Sequence, residues 1–178
     1  MEFIYYIIGA ILVISGLIFA VTLTKKKRSQ KYKSDIVKLF EAACKKKNIT
    51  EYKMEYVKKD THDFYFEDES NIYYIKIINN FSNQEICINN AIKWQLRKLG
   101  DRNEKLVFVE GVEPLMRLDL THQEKKEHKL FIVYPNVTAL LKVINECEMV
   151  FVYPDTDVYG AKVISYKKLV EDLDLLEV

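Results

Sequence analysis

The sequence predicts one membrane-spanning helix at the N-terminus followed by a single mixed α/β domain. Three observations predict it. An apolar run without charge or proline extends from Phe3 to Thr24. A basic collar, Lys25-Lys26-Lys27-Arg28 with Lys31 and Lys33, follows at once. Beyond Ser34, segments with the two-residue period of strands alternate with segments of helical spacing, the pattern of a mixed sheet flanked by helices.

The apolar run is about the 20 residues that a bilayer core requires of a helix. Tyr5 and Tyr6 lie near one end, where amphipathic rings favour an interface. Only Met1 and Glu2 precede the run, so the positive-inside rule assigns residues 1–2 to the outside and residues 34–178 to the cytoplasm of a single-pass cell-membrane protein. A cleaved signal peptide would carry a basic n-region and a shorter apolar stretch. The expected partition is a span over 3–24, a juxtamembrane collar over 25–33 and a cytoplasmic domain over 34–178. Lys25, Lys26, Lys27 and Arg28 are the expected contacts with anionic headgroups, which makes the lipid bilayer the first expected partner. Gly16 and Ala20 form a small-xxx-small pair suited to self-association of the span.

From Ser34 onward the chain carries 21 basic and 25 acidic residues. That balance does not favour a phosphate backbone as partner, although a local basic groove would still allow nucleic acid. Cys44, Cys87 and Cys147 are odd in number and far apart, as free thiols in a reducing compartment are. His62, His122 and His128 match no metal-ligand spacing, and no glycine-rich phosphate loop occurs. The composition therefore argues against a nucleotide-hydrolysing engine, and no cofactor is expected.

Ser34 caps a helix over 35–47 with Ile36, Leu39, Phe40 and Ala43 on one face, and Asn48 ends it. Tyr52, Met54 and Tyr56 alternate with charged residues as in a half-buried strand. Asp63 to Phe66 and Ile72 to Ile78 read as the second and third strands, separated by a polar turn, and Glu85 to Ile88 extends the sheet. Ile92, Trp94, Leu96 and Leu99 are read as a second helix closed by Gly100. Leu106 to Val109 is a strand, 111–129 an irregular insertion, and Leu130 to Tyr134 a buried central strand ended by Pro135. Val137, Leu140, Leu141 and Ile144 have the spacing of a third helix. Met149 to Tyr153 reads as a buried strand, Lys162 to Ile164 as another, and Ser165 caps a last helix containing Leu169, Val170 and Leu173.

This order resembles the restriction-endonuclease-like, or PD-(D/E)XK, superfamily over residues 35 to 153, with an αβββαβ core. The family places an Asp at the start of the second strand and a (D/E)-X-K element on the third. Asp63 opens Asp63-Phe64-Tyr65-Phe66, and the third strand carries Tyr74-Ile75-Lys76. Asp63 and Lys76 match; Tyr74 stands where the second acid belongs. Glu41 lies in the helix where members often carry a Glu. The resemblance implies Mg²⁺ or Mn²⁺ held by Asp63 with Glu41, with Glu85 or Gln95 as candidates for a relocated group. Two carboxylates on a hard cation activate water for phosphodiester cleavage, and one charge fewer weakens that centre. The expected function is therefore a non-catalytic interaction or assembly module, with a protein partner or self-association. A metal-dependent nuclease using Asp63, Lys76 and Glu85 is the alternative.

Overall fold

A computed structural model describes residues 2–98, 107–145 and 148–176, and the side chains of all of these except 2–12 and 25–29. The chain divides into two units, Met1–Val37 and Lys38–Val178.

The first unit is helical. It forms the greater part of α1, which runs from Glu2 to Lys46 and contributes its last residues to the second unit. The expected single-pass span is corrected here: among the described residues no helix is long and apolar enough to cross a membrane. Val13–Thr24 is the apolar stretch whose side chains are described. The expected membrane span is therefore not supported. The single-pass localisation and the sidedness drawn from the collar fall with it. Lys25, Lys26, Lys27 and Arg28 lie within α1, but their side chains lie outside the described residues.

The second unit is a mixed α/β domain with two five-stranded mixed sheets. Sheet A is built from β1 (Lys53–Tyr56), β2 (Phe64–Glu67), β3 (Asn71–Asn79), β7 (Lys126–Tyr134) and β10 (Ala161–Ser165), in that spatial order. The first three strands form an antiparallel meander, and β7 then lies parallel to both β3 and β10. Sheet B has the order β6 (Val107–Phe108), β5 (Trp94–Arg97), β4 (Glu85–Ile88), β8 (Leu140–Asn145) and β9 (Glu148–Phe151). Its pairs are antiparallel except β4 with β8. A short helix, α2 (Val112–Met116), precedes β7. Another, α3 (Tyr166–Glu171), follows β10, with Ser165 accepting a cap hydrogen bond from Lys168 N.

The two sheets share a corner. The parallel pair β3/β7 of sheet A continues as the parallel pair β4/β8 of sheet B. Asn80, 2 % exposed, sits where both chains turn. Its backbone N–H donates to Tyr134 O at 2.7 Å, and its Nδ2 donates to Gln84 O at 2.8 Å and Asn136 O at 3.0 Å. Its Oδ1 accepts from Gln84 N at 2.9 Å. One amide side chain thereby satisfies backbone groups of both turns that have left their ladders.

Between the sheets lies a core containing Ile78, Phe131 and Val163 from sheet A and Ile86, Ile88 and Trp94 from sheet B, with Val112 and Leu115 of α2. The opposite face of sheet A buries Phe64, Phe66 and Ile75, and Phe40 of α1 packs on Phe66 with ring centroids 5.0 Å apart.

Two expected helices are strands. Ile92, Trp94 and Leu96 are two residues apart, and that period decides: Trp94 pairs with Ile88 in β5. Leu99 and Gly100, expected to finish that helix, lie outside the described residues. Val137, Leu140, Leu141 and Ile144 do have helical spacing. Pairing of Leu140 with Ile86 and Leu141 with Cys87 overrides it, in a segment rich in β-branched residues. The strand expected to be buried over 149–153 is β9, and every residue of it is exposed at the edge of sheet B. The insertion over 111–129 contains α2 and the first four residues of β7.

Candidate functional site

Side chains alternate along a strand, so Ile72, Tyr74, Lys76 and Ile78 of β3 share the face of sheet A that looks toward α2 and sheet B. Asp63 lies one residue before β2. The Phe64–Ile75 pairing puts it opposite Lys76, with Asp63 N donating to Ile75 O at 2.8 Å. Asp63 and Lys76, matched from sequence, are therefore brought together. Lys76 Nζ is 3.4 Å from Asp63 Oδ1 and donates to Asp60 O at 3.3 Å. Asp63 Oδ2 accepts the N–H of Ile77 at 2.9 Å. The two side chains are 15 % and 14 % exposed, so the pair is largely withdrawn from water.

The stem of Lys76 runs against Gly111. A Cβ at position 111 would lie 2.4 Å from Lys76 Cε, and Gly111 has φ +78°. Both the left-handed backbone and the close approach require a residue without a side chain here.

His62 and Tyr74 border the pair. His62 is 4 % exposed, its Nδ1 is 2.8 Å from Thr61 Oγ1, and its ring meets Tyr74 edge-on at 5.2 Å. Burial pushes the imidazole pKa down; the ammonium groups of Lys59 and Lys76 add to this, and Asp63 opposes it. Tyr74 donates its hydroxyl to Glu127 Oε1 at 2.7 Å. Burial and that carboxylate raise the phenol pKa, so it stays a neutral donor. Glu127 Oε2 accepts His122 N at 2.9 Å.

A second polar cluster continues along the face. Tyr65 donates to Glu67 Oε2 at 2.7 Å, and Lys125 Nζ lies 2.8 Å from Glu67 Oε1. Burial and Glu67 raise the Tyr65 pKa to about 12, while Lys125 and Tyr65 hold the Glu67 carboxyl low. Lys129 donates to Met116 O at 2.7 Å, and burial lowers its pKa.

The remaining sequence candidates stand elsewhere. Glu85 begins β4 opposite Arg97 in sheet B. Two-residue alternation places it with Cys87, on the face opposite Ile86 and Ile88 and so away from the inter-sheet core. Gln95 pairs with Cys87 in the same sheet. Glu41 is exposed on α1, whose Phe40 packs on the face of sheet A opposite Lys76. Among the described residues, no three His, Cys, Asp or Glu side chains are placed to hold a metal ion together. The described donors do not assemble the Mg²⁺ or Mn²⁺ centre implied by the resemblance. Asp63 meets an ammonium and a backbone N–H, and a neutral phenol stands beside it.

Glu127, Lys125 and Lys129 escaped the sequence reading because they fell in the stretch taken as an irregular insertion. The sequence carries no signal for them: Lys125 to Lys129 is an uninterrupted polar run without a two-residue period, and pairing with β3 makes its last four residues strand.

The chain matches no family model, no curated protein and no solved structure.

Proposed function

We propose that residues 38–178 form a non-catalytic interaction module that receives an extended polypeptide segment at the open edge of sheet B. The observation that carries this reading is β9. Among the described residues it pairs on one side only, with β8, and all four of its residues are exposed, Met149 at 48 % and Phe151 at 61 %. Edge strands are ordinarily blunted by charge, proline or a covering element, and an apolar edge is a template for strand addition. Phe108 at the far edge and Ile144 at the end of β8 add to the exposed apolar surface of this sheet.

The restriction-endonuclease-like resemblance is part of this proposal. It is supported by the β1–β2–β3 meander, by α2 followed by β7 parallel to β3, and by the contact between Asp63 and Lys76. In this reading the old catalytic pair serves as a structural tie. Asp63 closes the mouth of β2 against β3, and Tyr74 is turned to Glu127 rather than to a metal.

The test uses the full chain in its own cells. A photocrosslinking amino acid at Met149 should give discrete adducts, mapped to one peptide of one partner chain or of a second copy. The same group at Glu69, in the turn before β3, should not. Lys76→Ala should leave the adducts unchanged. Equal labelling at both positions, or none at Met149, would retire the interaction module. DNA cleavage by the purified chain in Mg²⁺ or Mn²⁺, abolished by Asp63→Ala, would establish the nuclease in its place.

A further inference from the structure

We infer that the cavity beyond the carboxyl ends of β7 and β10 binds a small organic anion, a carboxylate carried on a compact apolar body. This site shares Phe151 with the β9 edge but rests on a separate observation, the cavity. The cavity holds about 330 Å³, within the size range of small-molecule sites. Four segments enclose it: the β7–β8 connection from Asn136, the chain leaving β9 through Pro154, the end of β10 and the first turns of α3. Ligands of open α/β sheets collect outside the carboxyl ends of parallel strands, because the chain must leave the sheet there and opens a crevice. β7 and β10 are such a pair, in register from Lys129–Ala161 to Val133–Ser165.

The chemistry of the walls selects the ligand. Leu140, Val152 and Val163 form an apolar floor that is itself part of the inter-sheet core. Phe151 and Tyr153, about 60 % exposed, stand at its side as aromatic surfaces without a cover. The rim carries Lys167 and Lys168 against one carboxylate, Glu171. Both ammonium groups share that partner, at 3.9 and 3.3 Å, which leaves the rim with one positive charge in excess. Ser165 is buried, and its Oγ accepts from Lys168 N, a bond that does not use its own hydroxyl proton. An apolar floor beneath a singly positive rim complements a monoanion with a hydrocarbon body. It does not complement a sugar or a polyphosphate.

Titrations of the full chain with phenylacetate, hexanoate and the uncharged phenylacetamide, followed by amide NMR, test this. Saturable shifts at Val152, Val163 and Ser165 are expected with at least one of the acids. Phenylacetamide should bind about tenfold more weakly than phenylacetate, the factor that one lost charge-assisted contact commonly gives. Lys167→Glu, an exposed change that leaves the floor intact, should weaken the acids at least as much and leave the amide unaffected. Ala139→Trp, which fills the cavity from the β7–β8 connection, should abolish all three. The inference is overturned if neither acid shifts those amides, if acid and amide bind alike, or if Lys167→Glu changes nothing.

Discussion

Gly111→Ala tests whether Lys76 is locked in place by a missing side chain. Two costs arise. At φ +78° an alanine pays the left-handed penalty of about 1–2 kcal/mol. Its Cβ would also stand 2.4 Å from Lys76 Cε, well inside the roughly 3.5–4.0 Å of an apolar contact. The clash falls on the far end of a flexible side chain, so Lys76 swings away rather than the backbone moving. Its ammonium then leaves Asp63 Oδ1 and Asp60 O, and Asp63 remains beside water with half its partners. Hydrogen bonds to charged groups contribute about 1.5–3 kcal/mol, and this pair is long, so about 1–2 kcal/mol is lost. The single variant should cost about 2–4 kcal/mol in all. In a Lys76→Ala background there is no clash and no ion pair left to break, and the same change should cost only the backbone share, about 1–2 kcal/mol. Urea unfolding of the full chain reads both values. Trp94, the only tryptophan, is fully buried between the sheets, and its fluorescence reports that core. A cost equal in the two backgrounds to within about 0.5 kcal/mol would refute the coupling.

Asn80→Leu keeps the volume but strands the backbone groups of Gln84 and Asn136 that the amide satisfies; a loss of about 2–4 kcal/mol is expected by the same unfolding measurement. His62 gives a pH signature. Its folded pKa lies below the ordinary 6.5, so the unfolded chain binds the proton more readily. Its contribution is whole above about pH 6.5 and is lost as pH falls through the depressed folded value. Unfolding midpoints against pH should therefore decline over that window, and His62→Gln should flatten the decline. Tyr74→Phe removes the donor to Glu127 while keeping the ring against His62; about 1 kcal/mol of destabilisation is expected in the same melts, with no loss of the Met149 crosslink.

Sheet A was legible where local signals agreed with pairing. The Tyr52–Tyr56 alternation, the turn at 67–71 and the β-branched run of β3 all appear at their expected places, and Asp63 and Lys76, singled out through the restriction-endonuclease-like resemblance, lie in contact. Sheet B was legible only in part: Glu85–Ile88, Val107–Phe108 and Glu148–Phe151 are strands where strands were expected, whereas helices were expected at β5 and β8. Leu140–Asn145 has an apolar spacing that a helix would satisfy, and pairing with β4, some 55 residues earlier, and with β9 makes it a strand. A long-range partner leaves no mark in a local window. The apolar start of the chain misled for a related reason. Hydropathy cannot say where one helix stops: α1 continues from the oily segment through the collar to Lys46, and only its last turns belong to the folded unit.

The site failed to declare itself because its acids are recruited by register rather than by motif. Tyr74 and Glu127 are 53 residues apart, yet the parallel pairing of β3 with β7 sets Glu127 beside Ile72, two positions along the same face. A phenol where an acid is expected therefore does not leave the sheet face short of carboxylate. It draws one from the neighbouring strand and holds it in a hydrogen bond, about 13 Å along the strand from the level of Lys76 at roughly 3.3 Å per residue. A metal shared by Asp63 and Glu127 would need the two carboxylates within a few ångströms of one point. With Glu127 on the neighbouring strand the face carries that carboxylate without convergence on Asp63. For that reason Tyr74→Glu alone is expected to crowd Glu127 and destabilise the sheet, without creating metal-dependent cleavage.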